Sequence, residues 1–431
     1  MRLSTPLLKQ HSLHIKRMKW LAMCRRRVQD DGTKAALEKS GITVYDALEV
    51  AKLPRFPPLG EQPVGDTISL DWELPLGPGH PDWQERTAKV YNQQSTLLEG
   101  LPQAQRLTRS IILGDLPQRL QQVIGKKEIV DQDLLVQRCV RQSGMMDATQ
   151  VKLPHLPDPL VYGINKRREY GIPIDRKCMI LTRGLLKLCS HALGDYPGLL
   201  KRITLHSAPL NLPLEQEGQL LICDISADSL LLSPWPLQPF IDVEEVEALS
   251  SAAQLPNLQP VHHTVSLRES NTYRPEFFFP VNRSAKQQYP HVIFLHNDYP
   301  YNENWTPELR LARPLMHCFA WALAFARHHS VKEKGGVLEE PLSLQCIHHN
   351  SQEFTFSCFQ LNTLNIDGTE GIKNFYWTTP AMNIHDFCSY HDGRPVLKNY
   401  NPQVMQYFLA FFLDGNPPLQ EPIKNKVNIE H

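Results

Sequence analysis

The stretch "FSCFQLNTLNIDGTEGIKNFYW", Phe356–Trp377, sets Asn, Gln, Asp, Glu and Lys among closely spaced aromatics. A catalytic loop has this look, and so does a polar turn between buried strands. The preceding residues favour the second reading. In "PLSLQCI" Leu342, Leu344 and Cys346 alternate with Ser343 and Gln345, and in "EFTFSCF" Phe354, Phe356 and Cys358 repeat at the same period of two. That period belongs to strands. The two runs predict an antiparallel hairpin turning at "HHNSQ", with Leu342, Leu344, Cys346, Phe354, Phe356 and Cys358 inward. Polarity from Gln360 onward then marks the strand leaving the core, Asn362 and Asp367-Gly368 suit tight turns, and "IKNFYW" begins a third strand.

Working outward, "LLICDI", "PVHHTVSL" and "HVIFLHN" also read as strands, separated by a short acidic helix at "DVEEVEALSS". "TPELRLARPLMHCFAWALAFARHH" predicts one long helix capped at Thr306 and kinked at Pro314. Its buried stripe runs through Leu311, Leu315, Phe319, Ala322 and Phe325. "QVMQYFLAFFLDG" predicts a last helix closing on Gly415. Upstream, Trp83 to about Arg141 carries helical spacings, with Asp115 and Pro117 opening a helix. A further helix covers Arg176 to Ala192, with Lys177, Arg183 and Lys187 away from its apolar stripe. The expected fold class is therefore α+β, or mixed α/β. A helical N-terminal half with an extended N-terminal arm precedes a C-terminal half whose mixed or antiparallel sheet is covered by helices.

The 431 residues are 42% hydrophobic and 21% charged, a globular balance, and the 35 prolines against 22 glycines are scattered through the chain. Five segments are expected: a targeting segment at 1–29, a Pro-rich arm at 30–82, a mainly helical region at 83–202, a mixed α/β region at 203–415 and a tail at 416–431. The formal charge is zero, yet residues 1–29 hold eight Lys or Arg and no acid. With apolar residues interspersed and no long apolar core, this segment fits a mitochondrial transit peptide; a retained basic arm touching RNA is the alternative. Residues 101–202 hold 17 basic against 9 acidic residues, which leaves the remainder acidic. Any nucleic-acid contact is thus local to one face. No run approaches the ~20 apolar residues of a membrane span, so a soluble chain with no membrane contact is expected. The nine cysteines form no CxxC pair and several sit in apolar runs, as free buried thiols of a reducing compartment do.

The chemistry-bearing patterns are sparse. Three His-His pairs ("VHHTV", "ARHHS", "CIHHN") cannot converge on one ion, because neighbours diverge on strands and helices alike; they are expected in turns or on the surface. No GxSxG, P-loop or GxGxxG occurs, and no catalytic residue, cofactor or metal ligand is assigned. The basic residues carry more. Arg109, Arg119, Lys126 and Lys127, with Arg106, Arg138 and Arg141, lie along the helical region. Lys166-Arg167-Arg168 sits between Tyr162 and Tyr170, and Lys201-Arg202 closes the region. Interleaved cations and aromatics can neutralise RNA phosphates and stack on bases, although charge runs are also ordinary solvated helix faces.

At these residues a resemblance enters. "LEEPLSLQC", "FTFSCFQLNT", "DGTEGIKNFYW" and "FLAFFLDG" resemble the mitochondrial large-subunit ribosomal protein family L thirty-seven, which shares ancestry with the mitochondrial protein S thirty. "STLLEGLPQAQRLTRSIILGDLP" and "GLLKLCSHALGDYPGLLKRI" resemble its N-terminal half. The similarity covers residues 83–415 in patches; the Leu-Leu-Glu-Gly run and "TEGIKN" favour the L thirty-seven branch. The resemblance implies a non-catalytic subunit of the mitochondrial large ribosomal subunit in the matrix. It would pack on mitochondrial rRNA and neighbouring ribosomal proteins, its paralogue among them, in support of mitochondrial translation. The competing expectation is a soluble mitochondrial hydrolase with a His/Asp site in 348–392, built on His385-Asp386 and His391-Asp392.

Overall fold

The computed structural model describes residues 16–17, 32–45, 86–97, 99–153, 170–191, 196–260, 267–272, 275–281, 288–296, 307–391 and 394–415. The chain divides into two units, Met1–Pro75 and Leu76–His431. The first contributes one described helix, α1 (Thr33–Lys39), with no buried residue.

In the second unit the order is β1 (Arg86–Asn92), α2 (Leu101–Thr108), β2 (Ser110–Ile112), α3 (Gln118–Gln121), α4 (Gln132–Met145), β3 (Val151–Lys152), β4 (Tyr170–Gly171) and α5 (Ile174–Cys189). After a 3-10 turn at Pro197–Lys201 come β5 (Ile203–Gln216), β6 (Gln219–Ser233), α6 (Val243–Ala252), β7 (Arg268–Thr272), β8 (Tyr289–His296) and α7 (Pro307–His329). The chain continues with β9 (Glu333–Lys334), β10 (Val337–His349), β11 (Glu353–Thr363), β12 (Asn374–Thr378), β13 (Met382–Asn383), β14 (Phe387–His391), β15 (Arg394–Lys398) and α8 (Gln403–Leu413). Eleven strands form one mixed sheet along β2-β12-β11-β10-β8-β6-β1-β7, with β5 on β6, β9 on β10 and β13 on β11. The pairs β1–β6, β8–β10 and β2–β12 are parallel. The mixed α and β class expected from the sequence is the one observed, with most of the sheet in the C-terminal half.

The hairpin forms as the alternation predicts, β10 and β11 meeting across Asn350–Gln352. The Asn350 side-chain oxygen fixes that turn, accepting from the N–H groups of Gln352 (3.0 Å) and Glu353 (2.7 Å). The expected inward set is corrected by the register. Leu344 pairs with Phe359 and Gln345 with Cys358, so Leu344 and Cys346 face one side while Phe354, Phe356 and Cys358 face the other. Both sides are cores. α2 and α7 cover the first, with Leu344, Cys346, Phe359 and Leu361. α3, α4, α5 and α8 cover the second, with Ile347, Phe354, Phe356 and Cys358. A sheet sandwiched between two helical layers has no solvent face at its centre, and Gln345, Ser357 and Gln360 are each 0% exposed.

Three further expectations are adjusted. Arg86–Asn92, inside the stretch read as helical, is a strand held between β6 and β7. α7 has the expected length and contains Pro314, but it is buried all round from Ala312 to Ala326, Arg313 and His317 included, rather than along one stripe. α3 begins one residue after Pro117, with no side-chain cap, where Asp115 was the expected cap. The last helix closes as predicted, on Gly415 at φ 76°. Thr306 lies outside the described residues, as does the His262-His263 pair.

Candidate nucleic-acid interface

The polar residues of the quoted stretch are internal connectors. Asn374 Oδ1 accepts from the backbone N–H of Asn362 (2.8 Å) and of Thr363 (3.0 Å), and its Nδ2 donates to the Thr108 carbonyl (2.9 Å). One side chain thereby ties β11, β12 and the end of α2. Gln360 Oε1 accepts from the N–H groups of Phe240 (2.7 Å) and Ile241 (3.0 Å), and its Nε2 donates to the Ile241 carbonyl and to Asn362 Oδ1, both at 2.9 Å. Every polar atom of these two amides has a partner, as burial in a sheet requires.

Of the pairs expected in turns or on the surface, His348-His349 is a core pair, whereas His328-His329 is half-buried at the end of α7. His348 and His349 are 4% and 1% exposed. His349 and His296 both meet the Thr182 hydroxyl, at 2.8 and 3.2 Å, and the Asp228 carboxylate accepts from the His296 N–H at 2.7 Å. Burial holds His348 and His349 well below the usual imidazole range and pushes the Asp228 carboxyl up. Of the residues proposed for a hydrolase, His385 is buried, Asp386 and His391 are exposed, and Asp392 lies outside the described residues. No group of three metal-ligating side chains occurs among the described residues. The eight described cysteines are free, six of them buried.

The predicted cations divide by where the fold puts them. Arg109 is 4% exposed and donates to the Asn365 carbonyl at 3.0 Å, while Arg106 donates to the Gly368 carbonyl at 2.9 Å; together they hold the 365–371 loop. Arg202 is half-buried and donates to the Phe412 carbonyl, to the Asp414 carbonyl (2.7 Å) and to His291 Nε2 (2.9 Å). The two carbonyls lie at the C-terminus of α8, where carbonyls lack helical partners and the dipole favours a cation. Arg119 joins from the other side, paired with the Asp414 carboxylate at 3.0 Å and 4.9 Å from the Phe240 ring centroid. Arg202→Met is expected to lower stability by about 2 kcal/mol in urea unfolding, and Lys201→Met by less than about 0.5. Equal losses would remove the capping role.

What remains outward is a different set. Lys126 and Lys201 are exposed, and Lys127 is half-buried. α4 and α5 pack against each other, with Cys139 Sγ 3.2 Å from where a Cβ on Gly184 would stand. Arg138 and Lys187 are both exposed, and the charge of each reaches the Cys139 thiol. Arg183, further along α5, stands near His206 of β5. Lys201 lies 5.2 Å from the ring centroid of Trp235, itself 46% exposed, and Leu200 and Ile203, its neighbours in sequence, are exposed too. Arg138, Arg183, Lys187 and Lys201 form no ion pair among the described residues. Sequence reasoning placed Arg183 and Lys187 outward but missed Trp235, whose run "SPWPLQP" carries no signal of which surface it joins. Lys166, Arg167 and Arg168 lie outside the described residues.

Comparison with known proteins bears on this geometry. Residues 297–416, which hold α7, β9–β15 and α8, match the family described as mitochondrial 28S ribosomal protein S30 (PDCD9). The rat large ribosomal subunit protein mL37 is 27% identical over 353 residues, 78% of this chain and 77% of that protein. The chicken mL37 is 27% identical over 376 residues, 84% of this chain and 81% of that protein, and the bovine one is 26% identical over 378. The aligned length takes in both helical layers as well as the sheet. Over most of its length the chain is similar to the mL37 proteins, as its sequence patches indicated.

Proposed function

We propose that this chain is a structural component of the large subunit of the mitochondrial ribosome, acting in mitochondrial translation as a scaffold rather than an enzyme. One observation carries the reading: the similarity to mL37 proteins extends over 78% to 84% of the chain. The fold is compatible with it, because the polar residues that resembled a catalytic loop are fully engaged inside the sheet.

Residues 1–29 act as a matrix-targeting segment in this reading. In this reading the contact with mitochondrial rRNA falls to Lys126, Lys127 and Lys201 together with Arg138, Arg183 and Lys187, and to Lys166, Arg167 and Arg168. Trp235 offers an aromatic face beside Lys201 on which an unpaired base can stack. Neighbouring large-subunit proteins, the paralogue among them, meet other faces. Sedimentation of a mitochondrial lysate tests the assignment: the protein is expected to travel with the large subunit, and its recovery at the top of the gradient refutes it. For the basic face, reversing Lys187 and Lys201 to Glu is expected to cut incorporation about tenfold, by loss of phosphate neutralisation. Reversing the exposed Lys332 and Lys334 should leave it within about twofold. Equal effects from both pairs would remove the RNA face.

A further inference from the structure

The segment after β6, the start of α6, the end of α7 and the first part of β10 surround an open groove of about 580 Å³. Its apolar lining is Leu237, Pro239, Val243, Tyr289, Pro341 and Leu342, with Val243 54% exposed. β10 is irregular where it forms the wall. Its register against β11 breaks between Val337 and Leu342, so Leu338–Pro341 stand opposite Asn362 alone. Glu339, Glu340 and Pro341 pair with no strand among the described residues. A bulge of this kind ends pairing and re-aims side chains. Glu339 and Glu340 line the groove there, both exposed and in no ion pair among the described residues. The Glu340 charge reaches Tyr289, and Lys332 is the lysine on the same wall.

Position, reach and chemistry name the occupant. A Cβ on Gly415, where α8 closes, would stand 3.1 Å from Leu237 Cδ2, so the chain arrives at the groove wall as the last helix ends. Residues 416–431 begin there and lie outside the described residues. From Gly415 to Ile423 an extended chain reaches up to about 28 Å, ample for a groove that begins at Leu237. The run "PIKNKVNI", Pro422–Ile429, holds Lys424 and Lys426 and no acid. In extended form Ile423, Val427 and Ile429 share one side of it and both lysines take the other. An acidic wall repels RNA phosphates, whereas an apolar groove beside unpaired strand backbone suits an extended peptide.

We propose that the chain's own C-terminal segment docks in this groove as an extended strand, with Ile423, Val427 and Ile429 on the apolar lining and Lys424 and Lys426 against Glu339 and Glu340. The open backbone of the β10 bulge offers hydrogen bonds to such a strand. Glu421 and Glu430, which flank the run, leave a carboxylate for Lys332. This inference does not rest on the ribosomal assignment, and either can fail alone.

The test compares the full chain with a variant ending at Gly415, and its probe is a fluorescein-labelled synthetic peptide of residues 416–431. Anisotropy is expected to show the peptide binding the shortened chain. The full chain should bind it at least about tenfold more weakly, because its own segment holds the groove at high effective concentration. In the shortened chain, Val243→Asp, or Glu339→Lys with Glu340→Lys, should raise the dissociation constant at least about tenfold, as should Lys424→Glu with Lys426→Glu in the peptide. Thermal midpoints establish that each variant folds, and the paired reversal of Glu339 and Glu340 is decisive because both are exposed. No binding to the shortened chain, or undiminished binding in that folded double variant, overturns the site. Equal binding to both chain lengths leaves the groove to a partner protein and overturns docking of the chain's own segment. A full-length dimer that dissociates when residues 416–431 are removed places the segment in a second copy, which also overturns docking within one chain.

Discussion

Asn374→Ala is expected to destabilise the second unit by about 3–5 kcal/mol, the largest loss from any single polar residue of the quoted stretch. The side chain is 0% exposed, and its removal strands the N–H of Asn362 and the N–H of Thr363 and takes one of two donors from the Thr108 carbonyl, which keeps the Ser110 hydroxyl at 3.2 Å. Each stranded group costs roughly 1–3 kcal/mol when water cannot reach it. The cavity left by the amide adds less, since the side chain is small. Asn374→Asp is the sharper comparison. It keeps the two accepting contacts of Oδ1 but turns the donor to Thr108 into a second acceptor, and it buries a charge among neutral groups. Urea unfolding at fixed pH measures both. A loss under about 1 kcal/mol for Asn374→Ala would mean that the contacts do not hold the β11–β12 junction.

How much of this was legible depends on how far away each partner lies. The hairpin could be read because its alternation is local, and its turn because Asn350 serves N–H groups only two and three residues on. The second core could not, because Gln345 and Gln360 read as solvent-facing while their partners stand 69 and about 119 residues away. Arg86–Asn92 becomes a strand through pairing with β6 and β7, a tertiary decision that its mixed composition does not announce. α7 showed its length through its apolar content, but the single stripe through Leu311, Leu315, Phe319, Ala322 and Phe325 understated its burial: Arg313, off that stripe, donates to the His296 carbonyl at 3.1 Å. The candidate surface divides in the same way. Arg183 and Lys187 were placed correctly outside the α5 stripe by helical period alone. Arg109 and Arg202 look no different in sequence, and only the carbonyls of Asn365 and Phe412, brought close by the fold, turn them inward.

The second large effect is acid sensitivity. Four histidines, His291, His317, His348 and His349, are at most 4% exposed, and burial followed by neighbouring cations or histidines holds each well below the ordinary imidazole value. They are therefore neutral when folded, while in the unfolded chain they protonate near pH ~6.5. Above that value neither state binds the protons and stability is at its full level. As the pH falls below it, the unfolded state takes up protons that the folded state refuses, and stability drops until the folded values are reached. Each such histidine contributes a slope approaching about 1.4 kcal/mol per pH unit, so four together approach about 5. Asp228 works the other way, because its carboxyl is raised by burial and binds a proton in the folded state first, but it is one group acting in the carboxylate range. Among the groups facing the cluster, Arg313 opposes protonation of His317 and His348, and Arg202 that of His291, so neither removes the penalty. Urea unfolding is thus expected to show a steep loss between about pH 7 and about pH 5.5, before most carboxylates titrate. His317, with neither ring nitrogen hydrogen-bonded, separates this account from general acid denaturation. His317→Leu should flatten the slope by about one proton's share, ~1.4 kcal/mol per unit. If stability were level across that range, or the slope unchanged in His317→Leu, burial would not be what keeps these histidines neutral in the fold.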